Sequence, residues 1–191
     1  MLLPEPKKVT HLAVGSNHIL ALDAKGKVFT WGCPEQNQLG RRCVLRDMKE
    51  SALRPAGVGF KRGVHIKKIA CGSYHSFALD DAGRVYAWGL NNFGQLGLGD
   101  GAGESDAAVL DATLITALSD HTIVDIVGGV HHSLACTKEG ELLTWGRLDG
   151  DQIGIDRNAL AKEDVIYDDK NKPRILSKPT VIPGKLRRSP S

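Results

Sequence analysis

The chain has 191 residues, of which 41% are hydrophobic and 25% are charged, and this composition is typical of a globular domain rather than of a disordered chain. No segment approaches the roughly 20 consecutive apolar residues of a membrane-spanning helix, and the N-terminal MLLPEPKK lacks the apolar run and cleavage site of a secretory signal. The formal net charge of +3 is unevenly placed, because residues 170–191 contain seven Lys or Arg and no Asp or Glu.

The basic C-terminal segment has two interpretations. The rest of the chain is mildly acidic, with 18 basic and 22 acidic residues. A basic tail can contact nucleic acid through the phosphates, although a lone basic terminus is more often simply solvated. The sequence leaves both interpretations open.

The cysteines indicate no metal or disulfide framework. Cys33, Cys43, Cys71 and Cys136 form no C-x-x-C pair, and no His completes a zinc-binding spacing around them. Cys71 and Cys136 lie in apolar segments and are expected to pack as small core residues. With no secretory signal, we expect reduced thiols in an intracellular protein.

Five features recur three times in the chain, each at a spacing of 57 residues. A Gly opens the pattern and a His follows three residues later. A turn Gly, a Trp-Gly pair and a Leu-Gly or Ile-Gly pair then complete it. The positions are Gly15, His18, Gly26, Trp31-Gly32 and Leu39-Gly40, then Gly72, His75, Gly83, Trp88-Gly89 and Leu96-Gly97, then Gly129, His132, Gly140, Trp145-Gly146 and Ile153-Gly154. Five features in register indicate an internal repeat.

The middle copy predicts three short strands in succession. IKKIACG (66–72), SFALDD (76–81) and RVYAWG (84–89) are mostly apolar, and the last two are separated by a short turn that contains Gly. Such a pair is typical of a β-hairpin whose Gly takes the positive-φ position. A polar loop follows the Trp-Gly pair, and the next 25 or so residues are expected to supply a fourth, outer strand. Helical spacing over 110–120 also allows a short helix there.

A sheet of so few strands cannot bury both of its faces alone, whereas repeated sheets that stack around an axis can. The chain is therefore predicted to be an all-β propeller. Its predicted divisions are repeats at residues 1–65, 66–122 and 123–179, followed by a basic tail at 180–191 that stands where a further repeat would start.

The combination of G-x-x-H, a turn Gly, W-G and Q-L-G resembles the repeat of the regulator-of-chromosome-condensation family over residues 9 to about 155. The resemblance implies a seven-bladed propeller, of which three blades are present. Seven copies of this length would need about 400 residues. We therefore expect a fragment with an incomplete ring, or a half that a partner chain completes.

Residues that recur in every copy are expected to serve the architecture. This structural group, in which the His is expected to tie the blade together by a hydrogen bond, comprises Gly15, His18, Trp31, Gly72, His75, Trp88, Gly129 and Trp145, with His132 at the same register. Function is expected where the copies differ, on turns at one rim of the ring. The residue before each repeated His varies, as Asn17, Tyr74 and His131, and so does the loop after each Trp-Gly pair.

The second and third copies look like the family branch that exchanges guanine nucleotide on the nuclear GTPase Ran, especially a fungal form. The resemblance implies an activity without covalent chemistry, a nuclear location and a possible chromatin contact. Carried over by position, His131 and His132 match the exchange residues best, and Asn17 stands where some members use an acidic residue. Further candidates for contact with the GTPase are Tyr74, Asn91, Asn92, Asp149 and Asp151.

Motifs for other activities are missing from the sequence. It contains no P-loop, no G-x-G-x-x-G dinucleotide fingerprint and no calcium-binding loop order. We expect no cofactor, no metal, no membrane contact and no small-molecule substrate. The alternatives to exchange are a propeller used only as a binding module, in a signalling or ubiquitin-ligase context, and a fragment that does not fold alone.

Overall fold

The computed structural model describes residues 8–43 and 48–183, which form three antiparallel sheets joined by loops. The first sheet has the order β1 (Val9–Val14), β2 (His18–Asp23), β3 (Val28–Gly32) and β4 (Ala56–Gly57), with a short helix α1 (Met48–Leu53) before β4. The second has the order β5 (Ile66–Cys71), β6 (His75–Asp80), β7 (Val85–Leu90) and β8 (Ala108–Leu114). The third sheet contains β9 (Ile123–Gly128), β10 (His132–Thr137), β11 (Leu142–Arg147), β12 (Val165–Tyr167) and β13 (Pro173–Val181) in the order β12-β13-β11-β10-β9.

The predicted hairpins are present, and their turns explain the repeated Gly between the second and third strands. Gly26, Gly83 and Gly140 have φ angles of +74°, +82° and +86°, a region that residues with a Cβ rarely adopt. In the second copy the buried carboxylate of Asp80 accepts a bond from the backbone N–H of Arg84 across the turn, at 2.8 Å.

The outer part of each repeat is where the structure departs from the sequence pattern. The segment 110–120, whose spacing also allows a helix, contains the end of strand β8 and one 3-10 turn at Thr116–Leu118. The helix that the spacing also allowed does not form, because β8 pairs with β7, for example Leu114 opposite Tyr86, with a register shift between Ala87 and Gly89. The expected outer strand is present. The third sheet also gains an edge strand, β12, which the repeat pattern does not contain.

The tail predicted to begin at residue 180 starts inside a strand. Thr180 pairs with Thr144 and Val181 with Leu143, so β13 extends past the predicted boundary at residue 179. The remainder of the predicted tail, residues 184–191, lies outside the described residues.

Two hydrophobic clusters hold the sheets together face to face. One joins the first and second sheets, and its buried side chains include Leu20, Ile66 and Trp88. The other joins the second and third sheets and includes Phe77, Ile126 and Trp145. Each sheet therefore buries its apolar side chains against its neighbour, as blades of a propeller do.

The three sheets form an incomplete ring. The strands β1, β5 and β9 lie side by side on the inner side of the stack. β5 is largely buried between its neighbours, whereas β1, at the same position of the repeat, exposes Leu12 and Val14 at 66% and 68%. No helix in the described residues has the length and apolar character that crossing a membrane requires.

Candidate functional site: the rim of the G-x-x-H turns

The G-x-x-H turns connect the first strand of each sheet to the second, and they all lie at one rim of the stack. In each turn the Gly N–H donates to the His carbonyl, at 2.9, 2.9 and 2.8 Å in the three copies. A Cβ on Gly15, Gly72 or Gly129 would collide with the ring of the His three residues later. The Gly is therefore required because the imidazole occupies the space of its missing side chain.

The His of the first copy bonds to the second sheet. Nε2 of His18 lies 2.8 Å from Oγ of Ser76. The Ser76 hydroxyl donates to the carbonyl oxygen of Gln38 at 3.0 Å, so His18 must be the donor in its bond to Ser76. The indole Nε1 of Trp88 donates to the same Gln38 carbonyl, also at 3.0 Å.

The junction between the second and third sheets repeats this network. Nε2 of His75 lies 3.1 Å from Oγ of Ser133, and Ser133 donates to the carbonyl of Gln95 at 2.8 Å. Trp145 donates to that carbonyl at 2.9 Å. The repeated His and Trp thus join neighbouring sheets, whereas the sequence led us to expect a bond of the His within one blade.

Burial fixes the protonation state of the two junction histidines. It lowers the pKa of His18 to about 4, and it lowers the pKa of His75 to about 3, with a smaller contribution from neighbouring imidazoles. Both rings are therefore neutral at pH 7 and serve as hydrogen-bond donors inside the protein.

The repeated Leu-Gly pairs belong to the same junctions. A Cβ on Gly40 would lie 2.7 Å from Nε1 of Trp88, and one on Gly97 would lie 2.8 Å from Nε1 of Trp145. The Gln before each pair holds its loop, because the Gln38 side chain accepts from the backbone N–H of Gln36 at 2.7 Å.

In the second and third copies Gln95 and Gln152 hold their loops in the same way, by accepting from Phe93 N–H at 2.8 Å and Gly150 N–H at 2.7 Å. The roles of Ser76, Ser133 and these Gln residues were not predicted from the sequence. The sequence did contain a signal for the Ser residues. Ser directly follows the repeated His in the second and third copies, whereas Ile19 follows it in the first copy.

Two repeated residues lie at the ends of the stack. Trp31 is half-buried on the first sheet, unlike Trp88 and Trp145, which are fully buried. His132 is half-buried on the third sheet, with no further sheet packed beyond it in the described part of the chain, and burial lowers its pKa. Of the repeated histidines, His132 is therefore the one open to a partner.

The variable residue of each turn contacts the loop after Trp-Gly. The carbonyl oxygens of Asn17, Tyr74 and His131 accept from the first residue of that loop in their own copy, at 2.7, 3.0 and 2.8 Å. The predicted candidates on the turns and loops are thus brought to one rim. Asn17 is exposed, and Tyr74 and His131 are half-buried.

The rim between the first and second sheets forms a groove of about 290 Å³. Asn17 and Tyr74 lie on its two sides, and the rest of its lining comprises Cys33, Glu35, Gln36, Gln38 and Leu90. Its polar groups are mainly amides, one carboxylate and one phenol.

The rim between the second and third sheets has a different chemistry. The ring of Phe93 lies 4.7 Å from the ring of His131, and the guanidiniums of Arg147 and Arg174 lie 4.7 and 4.8 Å from the Phe93 centroid. Arg147 also binds both carboxylate oxygens of Asp149, at 2.6 and 3.0 Å. Partial burial lowers the pKa of His131, and the positive charge of Arg147 lowers it further.

The other loop candidates separate by exposure. Asn91 is only 2% exposed, and its side chain bonds to the carbonyl of Asp100 and the N–H of Leu96, so it shapes its loop and offers no free group to a partner. Asn92 is half-buried and accepts from Gln95 at 3.0 Å. The side chains of Asp149 and Asp151 are 36% and 84% exposed, each in an ion pair with an Arg.

Comparison with known proteins agrees with this architecture. The family model of the RCC1-like domain matches residues 1–188. Protein pim1 of Schizosaccharomyces pombe is 45% identical over 96% of this chain and 33% of its own length, and the guanine nucleotide exchange factor SRM1 of Saccharomyces cerevisiae is 38% identical over 91% of this chain and 35% of its own. The human E3 ubiquitin-protein ligase HERC2 is 35% identical over 72% of this chain and 3% of its own length.

A solved structure shows the same fold. The crystal structure of Prp20p from Saccharomyces cerevisiae, described with its binding properties to Gsp1p and histones, superposes with a TM-score of 0.84 and 36% identity over 95% of this chain and 40% of that chain. The present chain thus spans about a third of pim1 and SRM1 and less than half of the Prp20p chain.

Proposed function

The chain belongs to the RCC1-like domain family, and we propose that it supplies part of the GTPase-binding rim of a guanine-nucleotide exchange factor for a Ran-type small GTPase. The observation that carries the proposal is the separation of roles in the turns of the first two copies. There the repeated His bonds to the neighbouring sheet, whereas the residue before it differs between the copies and lies at the rim. In the third copy the repeated His132 is itself half-buried at the end of the stack. The name of SRM1 and the binding of Prp20p to Gsp1p support the exchange activity.

Exchange requires no covalent step from these residues. An exchange factor binds the nucleotide-free GTPase more tightly than the loaded one and so shifts the population toward nucleotide release. A rim that presses on the switch and phosphate-binding loops of the GTPase also weakens its hold on Mg²⁺ and phosphate. In this scheme His131, His132 and Asn17 contact the GTPase, with Tyr74, Asp149 and Asp151 beside them.

The test is release of a fluorescent GDP from purified Ran-type GTPase by the full-length protein that contains this chain. We expect His131→Ala and His132→Ala each to lower kcat/KM by about tenfold, equivalent to ~1.4 kcal/mol of transition-state stabilisation. Lys138→Ala is the matched control, because Lys138 is exposed on a hairpin turn at the opposite end of the third sheet. Unchanged release in both His variants would refute the site assignment.

A second function, a binding module without exchange activity, is favoured by the match to HERC2. A pull-down separates the two functions. An exchange factor prefers the nucleotide-free GTPase over the GDP-bound form, whereas a scaffold shows no such preference. We extend the proposal to a nuclear protein with a chromatin contact on the basis of the described binding of Prp20p to histones.

A further inference from the structure

One cluster at the rim is built differently from its counterpart on the neighbouring sheet. Phe93 lies in the loop after Trp88-Gly89, and its ring is contacted by His131 from the next turn, by Arg147 at the end of β11 and by Arg174 in β13. Three segments of the third sheet thus converge on one ring of the second. At the same position of the first copy the loop has Gln36, and the equivalent of Arg147 is Leu90.

The two guanidiniums on this ring differ in their charge balance. Arg147 is neutralised by the bidentate contact with Asp149. Arg174 is exposed and lies in no ion pair within the described residues. A guanidinium that stacks on an aromatic face is held in place by the ring and keeps its N–H donors free in its own plane.

The surroundings of Arg174 provide room for an acidic group. A groove of about 320 Å³ opens beside it, lined by Asp149, Arg157, Asp168, Lys172 and Pro173 as well. Each acidic residue of the groove already has partners. Asp149 binds Arg147, and Asp168 accepts from the backbone N–H groups of Lys170 and Lys172 at 2.9 and 2.8 Å. Neither Arg174 nor Lys172 forms an ion pair in the described part of the chain, and their positive charges contribute to the lowered pKa of Asp149 and of Asp168 respectively.

We propose that Arg174 is a specificity-determining residue that binds a carboxylate on the GTPase surface, and that Phe93 is the positioning residue that orients Arg174 and His131 toward it. This inference rests on the proposed function and adds the chemistry that this rim recognises. A bidentate guanidinium–carboxylate contact gives both affinity and orientation.

The experiment measures nucleotide release by the full-length protein as a function of GTPase concentration. We expect Arg174→Ala to raise KM by about tenfold with kcat changed less than twofold, because the complex of the variant with the GTPase lacks one charge-assisted hydrogen bond. Arg174→Lys keeps the positive charge but loses the two parallel N–H donors of the guanidinium, and its KM is expected to lie between those of Arg174→Ala and the wild type. The salt dependence of KM is expected to be weaker in Arg174→Ala than in wild type.

Phe93 is tested by a conservative pair. Phe93→Leu is expected to raise KM, as Arg174→Ala does. Phe93→Tyr keeps the aromatic face and is expected to have the KM of the wild type. Lys138→Ala, at an exposed position on a hairpin turn at the opposite end of the third sheet, is the control and should leave KM unchanged. Arg174 is exposed, so its substitution also serves if the Phe93 variants fail to fold.

The outcomes distinguish the two proposals. Exchange by the wild type with an unaltered KM and salt dependence in Arg174→Ala overturns the carboxylate site and leaves the exchange function standing. Failure of the wild type to release nucleotide from any Ran-type GTPase overturns the exchange function, and the carboxylate site falls with it.

Discussion

Replacing Ser133 by Ala would test the hydrogen-bonded junction between the second and third sheets. Ser133 and His75 are both fully buried, so water cannot replace the lost hydroxyl. The Nε2–H of His75 loses its acceptor, whereas the Gln95 carbonyl keeps its bond from Trp145 at 2.9 Å. A buried donor without a partner costs about 1–3 kcal/mol, so we expect a loss of about 2 kcal/mol in the free energy of unfolding.

The assay is urea-induced unfolding of the full-length protein, read as a lower midpoint with an unchanged slope. Ser119→Ala, an exposed Ser in a turn, is the matched control and is expected to cost less than about 0.5 kcal/mol. In a His75→Leu background the donor is gone, so Ser133→Ala should cost less than in the wild type. Equal costs for Ser133→Ala and Ser119→Ala, or equal costs in both backgrounds, would refute the assigned bond.

Two further predictions concern the same junctions. Burial lowers the pKa of His18 to about 4 and that of His75 to about 3, from 6.5. As the pH falls, the unfolded chain therefore binds protons at these two residues before the folded protein does. The free energy of unfolding should be constant above about pH 6.5 and fall as the pH drops toward 4. The fall should be shallower in His75→Gln. If that substitution leaves the slope of stability against pH unchanged, His75 is not a buried neutral residue in the folded protein. Gly97→Ala should destabilise the protein by about 2 kcal/mol more than Gly101→Ala in thermal melts, because both residues have a positive φ, +71° and +69°, but only at Gly97 would the Cβ meet an indole. Similar losses at both positions would show that the cost comes from the backbone alone.

The parts of the fold that could be predicted from the sequence are those encoded within one repeat. The turn Gly and the apolar runs around it specify a hairpin locally, because only Gly tolerates the required φ and only a short apolar run fills one strand. The structure therefore has its hairpins at Gly26, Gly83 and Gly140. The outer strand β8 was harder to place, because its apolar residues also fit a helical spacing.

The contacts between repeats could not be predicted in the same way. His18 bonds to Ser76 and Trp88 bonds to Gln38, and no local pattern connects residues so far apart in the chain. Asn91 looked like a surface candidate because it lies in a variable polar loop, yet the loop folds back over it. The cluster at Phe93 also required the structure, because Arg174 reaches it from β13, which follows a long irregular segment.

The junctions also explain how the rim can vary without loss of the fold. His75 is held through its ring by Ser133 and through its carbonyl by Gly72, so the turn between Gly72 and His75 has little freedom whatever residue lies at position 74. The loop after Trp88 is fixed in the same way, because the side chain of Gln95 holds its backbone.

A substitution at position 74 therefore changes the chemistry of the rim while the backbone beneath it stays in place. On this basis we expect the Tyr74 groove and the His131 cluster to contact different features of one partner, the first through amides, a phenol and one carboxylate and the second through cations. A GTPase variant that lacks a surface carboxylate should then lose the effect of Arg174→Ala and keep the effect of Tyr74→Ala. Loss of both effects together would mean that the two grooves act as a single contact.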